Sequence, residues 1–301
     1  MEEKKDTAEH ISVLARTLVE QIDLPRDAVM VDATIGHGGH SYLFAKKLGP
    51  KGIIFGMDVD EDSISKAKET LKEVDCRVIL VRSNFSQISE KLNEHGIDKV
   101  DFILADLGLC SAQISNEKLG LSFQTNMPLD MRIDKRLEHN AADIINRTDE
   151  KSLADLIFKY GQDRASRRIA RFIVSYRKEN KITTTGQLAD IVCRALGNRK
   201  NWSRIHPATR TFQALRIAVN QELENLEKLL KSAPKLLNKD GLIAIISFHS
   251  LEDRIVKYDF RQNKTDGIYD ILTKKPLIPT QEEIDENHRS RSAKLRIAVK
   301  R

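Results

Sequence analysis

The chain reads as an α/β protein, with a Rossmann-like parallel sheet interrupted by an inserted helical domain. Short apolar runs alternate with helix-length amphipathic stretches between residues 29 and 110. Helical periodicity then dominates 141–233, and strand-like runs return at 241–248 and 295–299. Strands alternating with helices imply a parallel sheet with crossover connections, and a helical block between two strand-rich segments implies an insertion. The expected boundaries are a discontinuous sheet domain over 1–112 and 206–301, and an inserted domain over 113–205.

The first strand, 29–31, runs into Asp32 and the turn TIGHGGHS (34–41), with a helix expected over 41–47. The second strand, 53–57, ends at Asp58 and precedes a helix over 61–73. The third, 78–81, leads to a helix over 85–95, and the fourth, 100–105, ends in DLGLCSAQ (106–113). Residues 111–135 are irregular and rich in Ser, Asn, Gly and Pro. Within them FQTNMPLDMRID (123–134) interleaves charged and apolar residues, as a structured lid or substrate wall would. In the helical block, DRASRRIARFIVSYRK (163–178) sets Ile169, Phe172, Ile173 and Tyr176 at core spacing. Arg164, Arg168 and Arg171 fall on another face, as a phosphate-facing stripe. HPATRTFQALRIAVNQEL (206–223) opens with His-Pro and continues as a helix.

A length of 301 residues accommodates two domains, or one with a large insertion. The longest apolar run, 242–246, is too short to span a bilayer, and the N-terminus MEEKKDTAEH is charged, with no apolar signal region. Cys76, Cys110 and Cys193 are scattered, with no CxxC or metal-ligand spacing, which points to a reducing, cytoplasmic setting. The net charge of +6 is unevenly spread. Residues 159–216 carry fourteen Lys/Arg against three Asp/Glu, and 288–301 carry six Lys/Arg and no acid. Two basic segments on an otherwise acidic chain suggest a polyanion partner, with RNA or DNA favoured over a merely solvated surface.

Glycines let the backbone approach a ligand closely, and an acid some twenty residues on can bind ribose hydroxyls, so the turn at 34–41 with Asp58 suits a nucleotide-like cofactor. A dinucleotide fingerprint would want a third glycine or alanine where Ser41 stands, and Asp32 would repel a pyrophosphate. Asp32 could instead reach the amino group of S-adenosylmethionine, directly or through water. Both features favour S-adenosylmethionine over NAD or an empty turn, and with it a methyltransferase. His37 and His40 have no further His or Cys nearby in sequence, so no metal is expected.

Asp106 is the candidate catalytic residue. An exocyclic base amine is a poor nucleophile because its lone pair is delocalised into the ring, and an aligned acceptor can localise that pair and take the proton. The plainer role for Asp106 is to cap the following turn. Cys110 could serve as a ring-attacking nucleophile, but no adjacent base or Pro-Cys dipeptide supports that chemistry. Ser247, His249, Glu252 and Asp253 in SFHSLEDRIVK (247–257) would suit a hydrolase, yet the chain has no G-x-S-x-G elbow. Trp202, beside Arg199 and Lys200, could stack on a base or sit in a core or hinge.

Taken together, TIGHGGHS, DLGLCSAQ, MPLDMR (127–132), HPATRTFQALRIAVN (206–220), SFHSLEDRIVK and NHRSRSAKLR (287–296) resemble the bacterial small-subunit ribosomal RNA cytosine-N4 methyltransferases. The resemblance covers nearly the whole chain. It implies methylation of a decoding-centre cytidine of 16S rRNA, with S-adenosylmethionine as donor. It also implies that Gly38, Gly39 and His40 contact the cofactor, that Asp58 holds its ribose, that Phe85 lies beside its adenine, and that Asp106 and Gln113 complete the pocket. The chain departs from the family pattern at Cys110-Ser111, Leu119-Gly120-Leu121, Gln162-Asp163 and His288, none of them in the glycine turn.

Overall fold

The computed structural model describes residues 12–109, 113–114, 116–197 and 206–301. Cys110, Arg199, Lys200 and Trp202 lie outside the described residues.

The described residues up to Gly108, together with Leu223–Arg301, form one compact unit. Its seven strands are β1 (Val29–Asp32), β2 (Ile53–Asp58), β3 (Arg77–Arg82), β4 (Val100–Asp106), β5 (Leu237–Ser247), β6 (Tyr269–Ile271) and β7 (Lys294–Lys300). They lie in the order β3-β2-β1-β4-β5-β7-β6. β1 to β5 are parallel, and β7 runs antiparallel to both β5 and β6. The order turns back on itself at β1 and β4, and ligands of open α/β sheets bind at such switch points, outside the carboxyl ends of the strands.

Both faces of the sheet are covered, which is why the central strands are almost continuously apolar. Phe102 and Leu104 face one core, while Ile103 and Ala105 of the same strand face the other. Helices α1 (Ala15–Gln21), α2 (Gly39–Ala45) and α3 (Glu61–Thr70) bury Leu18, Phe44 and Ala67 in the first core. Helix α4 (Ile88–Glu94) buries Ile88 and Leu92 in the second. β6 has only three residues and gave no strand signal in the sequence.

The second unit runs from Leu109 to Glu222. Its helices are α5 (Ala141–Arg147), α6 (Glu150–Gly161), α7 (Ser166–Arg177), α8 (Thr185–Leu196) and α9 (Thr209–Asn220). Asn140 and Thr184 open α5 and α8 with reciprocal capping boxes to Asp143 and Gln187. The boundary expected at 205/206 moves to the end of α9. Phe212, Leu215 and Val219 of α9 join the helical core, so residues 206–222 belong to this unit rather than to the sheet.

The segment 123–134 is packed into this unit. Met127, Leu129 and Met131 are buried. Leu129 N donates to Thr183 O at 2.8 Å, and Asn220 Nδ2 donates to Met131 O at 2.8 Å. Phe172 was expected in the core, but it is exposed on α7 while Ile169 and Ile173 are fully buried.

Two helices of the sheet unit complete the second face. α10 (Glu222–Leu236) contributes Leu226, Leu229 and Leu230, and α11 (Ser250–Thr265) contributes Val256 and Phe260. A short helix, α12 (Gln281–Glu286), precedes β7. Among the described residues, no helix is long and apolar enough to cross a membrane.

Candidate active site

The glycine turn crosses the carboxyl ends of three neighbouring strands. Ala33 N donates to Leu104 O of β4, and Ile35 N donates to Met57 O of β2, both at 2.8 Å. Asp106 N donates to Thr34 Oγ1 at 2.7 Å. Gly38 then adopts φ +84° as the residue before α2, a left-handed conformation that a Cβ would strain. These bonds fix the turn across β4, β1 and β2.

Three carboxylates stand at those strand ends: Asp32 on β1, Asp58 on β2 and Asp106 on β4. Asp32 is buried, and both its oxygens are used inside the turn. Oδ2 accepts from Ser41 Oγ at 2.7 Å and Oδ1 from Thr34 N at 3.2 Å. Ser41, which broke the dinucleotide pattern, is therefore the hydroxyl partner of Asp32. This arrangement braces the turn, whereas the sequence suggested that Asp32 reaches for a ligand amine. Burial pushes the Asp32 carboxyl above its usual range despite the Ser41 bond, and Asp106 adds to the rise.

Asp58 accepts from Gly36 N at 3.0 Å and from Asp60 N at 2.9 Å, one bond to each oxygen. A carboxylate offers about four lone-pair positions, so acceptor capacity remains for ribose hydroxyls. Burial pushes its pKa up to about 6, against the pull of those two backbone donors. A mutually repelling set of acids disfavours a pyrophosphate and favours a ligand that brings hydroxyl donors or positive charge.

His40, the second residue of α2, is buried, and its Nε2 lies 3.5 Å from Asp106 Oδ2. Among the described residues, neither ring nitrogen makes a hydrogen bond, and Asp106 Oδ1 is buried without one. Buried polar atoms of this kind call for an explanation, and a ligand donor or acceptor supplies one.

Phe85 opens a single 3-10 turn, Phe85–Gln87, capped by Asn84. It follows β3, whose end is tied to the end of β2, since Ser83 N donates to Asp58 O at 2.9 Å. The structure thus gathers Gly38, Gly39, His40, Asp58, Phe85 and Asp106 along one sheet edge. Gln113 belongs to the helical unit, where it is buried.

Arg164, Arg168 and Arg171 are also in the helical unit, and all are exposed. Arg164 precedes α7, which starts at Ser166. Arg168 lies 5.9 Å from the Phe172 ring, and Arg171 lies 3.8 Å from Glu150.

The hydrolase-like residues of 247–257 have structural work instead. His249 accepts from Glu252 N at 3.3 Å, and Glu252 Oε2 accepts from His249 N at 3.2 Å, a capping box that starts α11. Asp253 accepts from Arg296 Nε at 2.7 Å. Sequence reasoning missed the acceptor for Asp106 N, Thr34. Its only signal was a hydroxyl residue between the first strand and the glycines.

The model of the MraW methylase family matches residues 7–301. The ribosomal RNA small subunit methyltransferase H of Clostridioides difficile (strain 630) is 44% identical over 306 residues, covering 97% of this chain and 98% of that protein. Its namesake from Sulfurihydrogenibium azorense is 46% identical over 290 residues, covering 96% and 98%. A match at this identity along both full lengths, on a chain whose glycine turn and strand-end acids form one edge, places the chain in the MraW methylase family.

Proposed function

We propose that this methylase transfers a methyl group from S-adenosylmethionine to the exocyclic amine of a cytidine in 16S rRNA, at the decoding-centre cytidine 1402. The observation that carries the reading is the strand-end constellation of Asp58, His40 and Asp106 around the glycine turn. Its acids suit hydroxyl and ammonium donors, and its buried unpaired atoms await them.

Gly38, Gly39 and His40 would line the cofactor, with Asp58 on the ribose and Phe85 against the adenine. When bound, S-adenosylmethionine supplies a methyl group on a positively charged sulfur. Asp106 accepts an N–H of the target amine, which turns the nitrogen lone pair out of ring conjugation. As the N–C bond forms, the methyl–sulfur bond would break with its electron pair leaving on the sulfur as a neutral thioether, and the proton lost by the amine would go to Asp106. His40 Nε2, 3.5 Å away, is placed to carry that proton onward. Cys110 forms no covalent bond in this scheme.

Arg164, Arg168 and Arg171 would hold RNA phosphates from the helical unit. The names of the relatives support a small-subunit rRNA substrate. The small ribosomal subunit is the expected partner, and the cytoplasm the expected location. The test is mass mapping of modified nucleosides in 16S rRNA from cells with and without the protein. Absence of N4-methylcytidine should accompany loss of the protein, and an unchanged nucleoside profile would refute the reading.

A further inference from the structure

A cavity of about 270 Å³ lies at the carboxyl edge of the sheet, one strand beyond Asp106. Its position follows from the register. Asp106 of β4 pairs with Ile246 of β5, and Ser247 pairs with Lys294, the first residue of β7. Phe248, which follows β5, and Lys294 are both in the cavity lining.

Phe248 joins this cavity to the loop that carries the candidate catalytic carboxylate. Its ring packs so closely on Gly108 that a Cβ there would stand 2.6 Å from the ring. Gly108 is two residues past Asp106. The same aromatic residue therefore borders the Asp106 loop on one side and the cavity on the other.

The lining is mixed in a specific way. Arg291 and Lys294 supply positive charge, Ser292 a hydroxyl, and Ile278 and Pro279 an apolar rim. Among the described residues, no acid lines the cavity. Arg291 is exposed and has no ion-pair partner among the described residues. Lys294 lies 3.4 Å from Asp253, but Asp253 is already held by Arg296 at 2.7 Å. Helix α12 is acidic, yet only Ile284 of that helix lines the cavity. Its neighbours Glu283 and Asp285 are about 100° away around the helix. Ile278 remains 65% exposed, a large apolar side chain beside the unpaired Arg291.

We infer that this cavity is a nucleotide subsite for the RNA strand next to the target cytidine. Arg291 and Lys294 take a backbone phosphate, and the exposed Ile278 takes the face of the attached base or sugar. A small volume with an exposed rim fits one unit of a longer chain better than a free metabolite, which would be more fully enclosed. Cations beside an apolar surface are the usual means of holding single-stranded RNA. The inference rests on the reading of the chain as an RNA methyltransferase, and it assigns a role to the basic segment 288–301.

The experiment titrates the full-length protein with an rRNA oligonucleotide spanning the target cytidine, across a salt series. Wild type is compared with Arg291→Gln and Ile278→Glu, and methyl transfer to the same oligonucleotide is measured in parallel. Arg291→Gln should weaken RNA binding by about three- to tenfold and reduce the salt slope by about 0.7–0.9, the loss of one phosphate contact. Ile278→Glu should weaken binding further by placing a like charge against the phosphate. S-adenosylmethionine affinity and the melting temperature should stay at wild-type values for both. RNA affinity and salt slope unchanged in both variants would overturn the subsite. A loss confined to assembled subunits would also overturn it, by assigning the cavity to a ribosomal protein. Wild type that binds the oligonucleotide through Arg291 but transfers no methyl group would instead overturn the catalytic reading and leave the subsite standing.

Discussion

On the proposed assignment, Asp58 would couple cofactor binding to pH. Folding raises its carboxyl from the ordinary 3.8 to about 6, chiefly by burial, so the native chain holds this proton more tightly than the unfolded chain. The protonated form's contribution to stability is full below about pH 4 and is lost as pH rises through about 6. Ribose hydroxyls donate to the ionised form, so the cofactor should bind more tightly as pH rises through 6, with release of a proton. Calorimetry in buffers of different ionisation enthalpy measures that release, and Asp58→Asn should abolish it. Asp58→Ala should cost about 1.5–3 kcal/mol of cofactor affinity, the value of hydrogen bonds to a charged group. Unchanged affinity would remove Asp58 from the site. Asp106→Ala should lose the chemical step with a smaller effect on cofactor binding, while Cys110→Ser should keep most activity. A dead Cys110→Ser variant that binds both substrates and a 5-methylcytosine product would reverse that assignment.

At the scale of elements, α7 buries one face and exposes its arginines on another. Ile169 and Ile173 are fully buried, so Ile173→Ala should cost about 2–5 kcal/mol of stability, read as a lower denaturation midpoint. The exposed arginines should behave oppositely. Replacing Arg164, Arg168 and Arg171 with glutamine should weaken RNA binding and flatten its salt dependence. Thermal stability should hardly move, because the one ion pair lost, Arg171 with Glu150, is exposed and worth about 0–1 kcal/mol. Equal salt slopes for wild type and triple variant would mark this face as merely solvated. Phe172 makes the limits of pattern visible. Its spacing fits the apolar stripe, but it lies at the edge of the stripe, where the packing left it beside Arg168.

At the scale of the whole molecule, much of the architecture was legible in the sequence. The alternation through residue 105 located β1 to β4, and helical periodicity located the inserted unit. These patterns are local, because burial on both faces forces nearly continuous apolar strands and burial on one face forces a helical stripe. The glycine turn and the acids at 58 and 106 were legible for the same reason, since each sits where a strand signal stops. Family resemblance alone supplied His40, Phe85 and Gln113. Other features depended on partners far apart in sequence. Residues 206–222 join the helical unit because Phe212, Leu215 and Val219 find their apolar neighbours there. Asp32 turns inward because Ser41 lies 2.7 Å away, and the polar residues of 247–257 become a helix cap and an ion pair because Arg296 comes back along β7. Sequence periodicity records whether a residue is buried. Which distant side chain it meets, and so whether a carboxylate serves structure or chemistry, was decided only when the chain closed on itself.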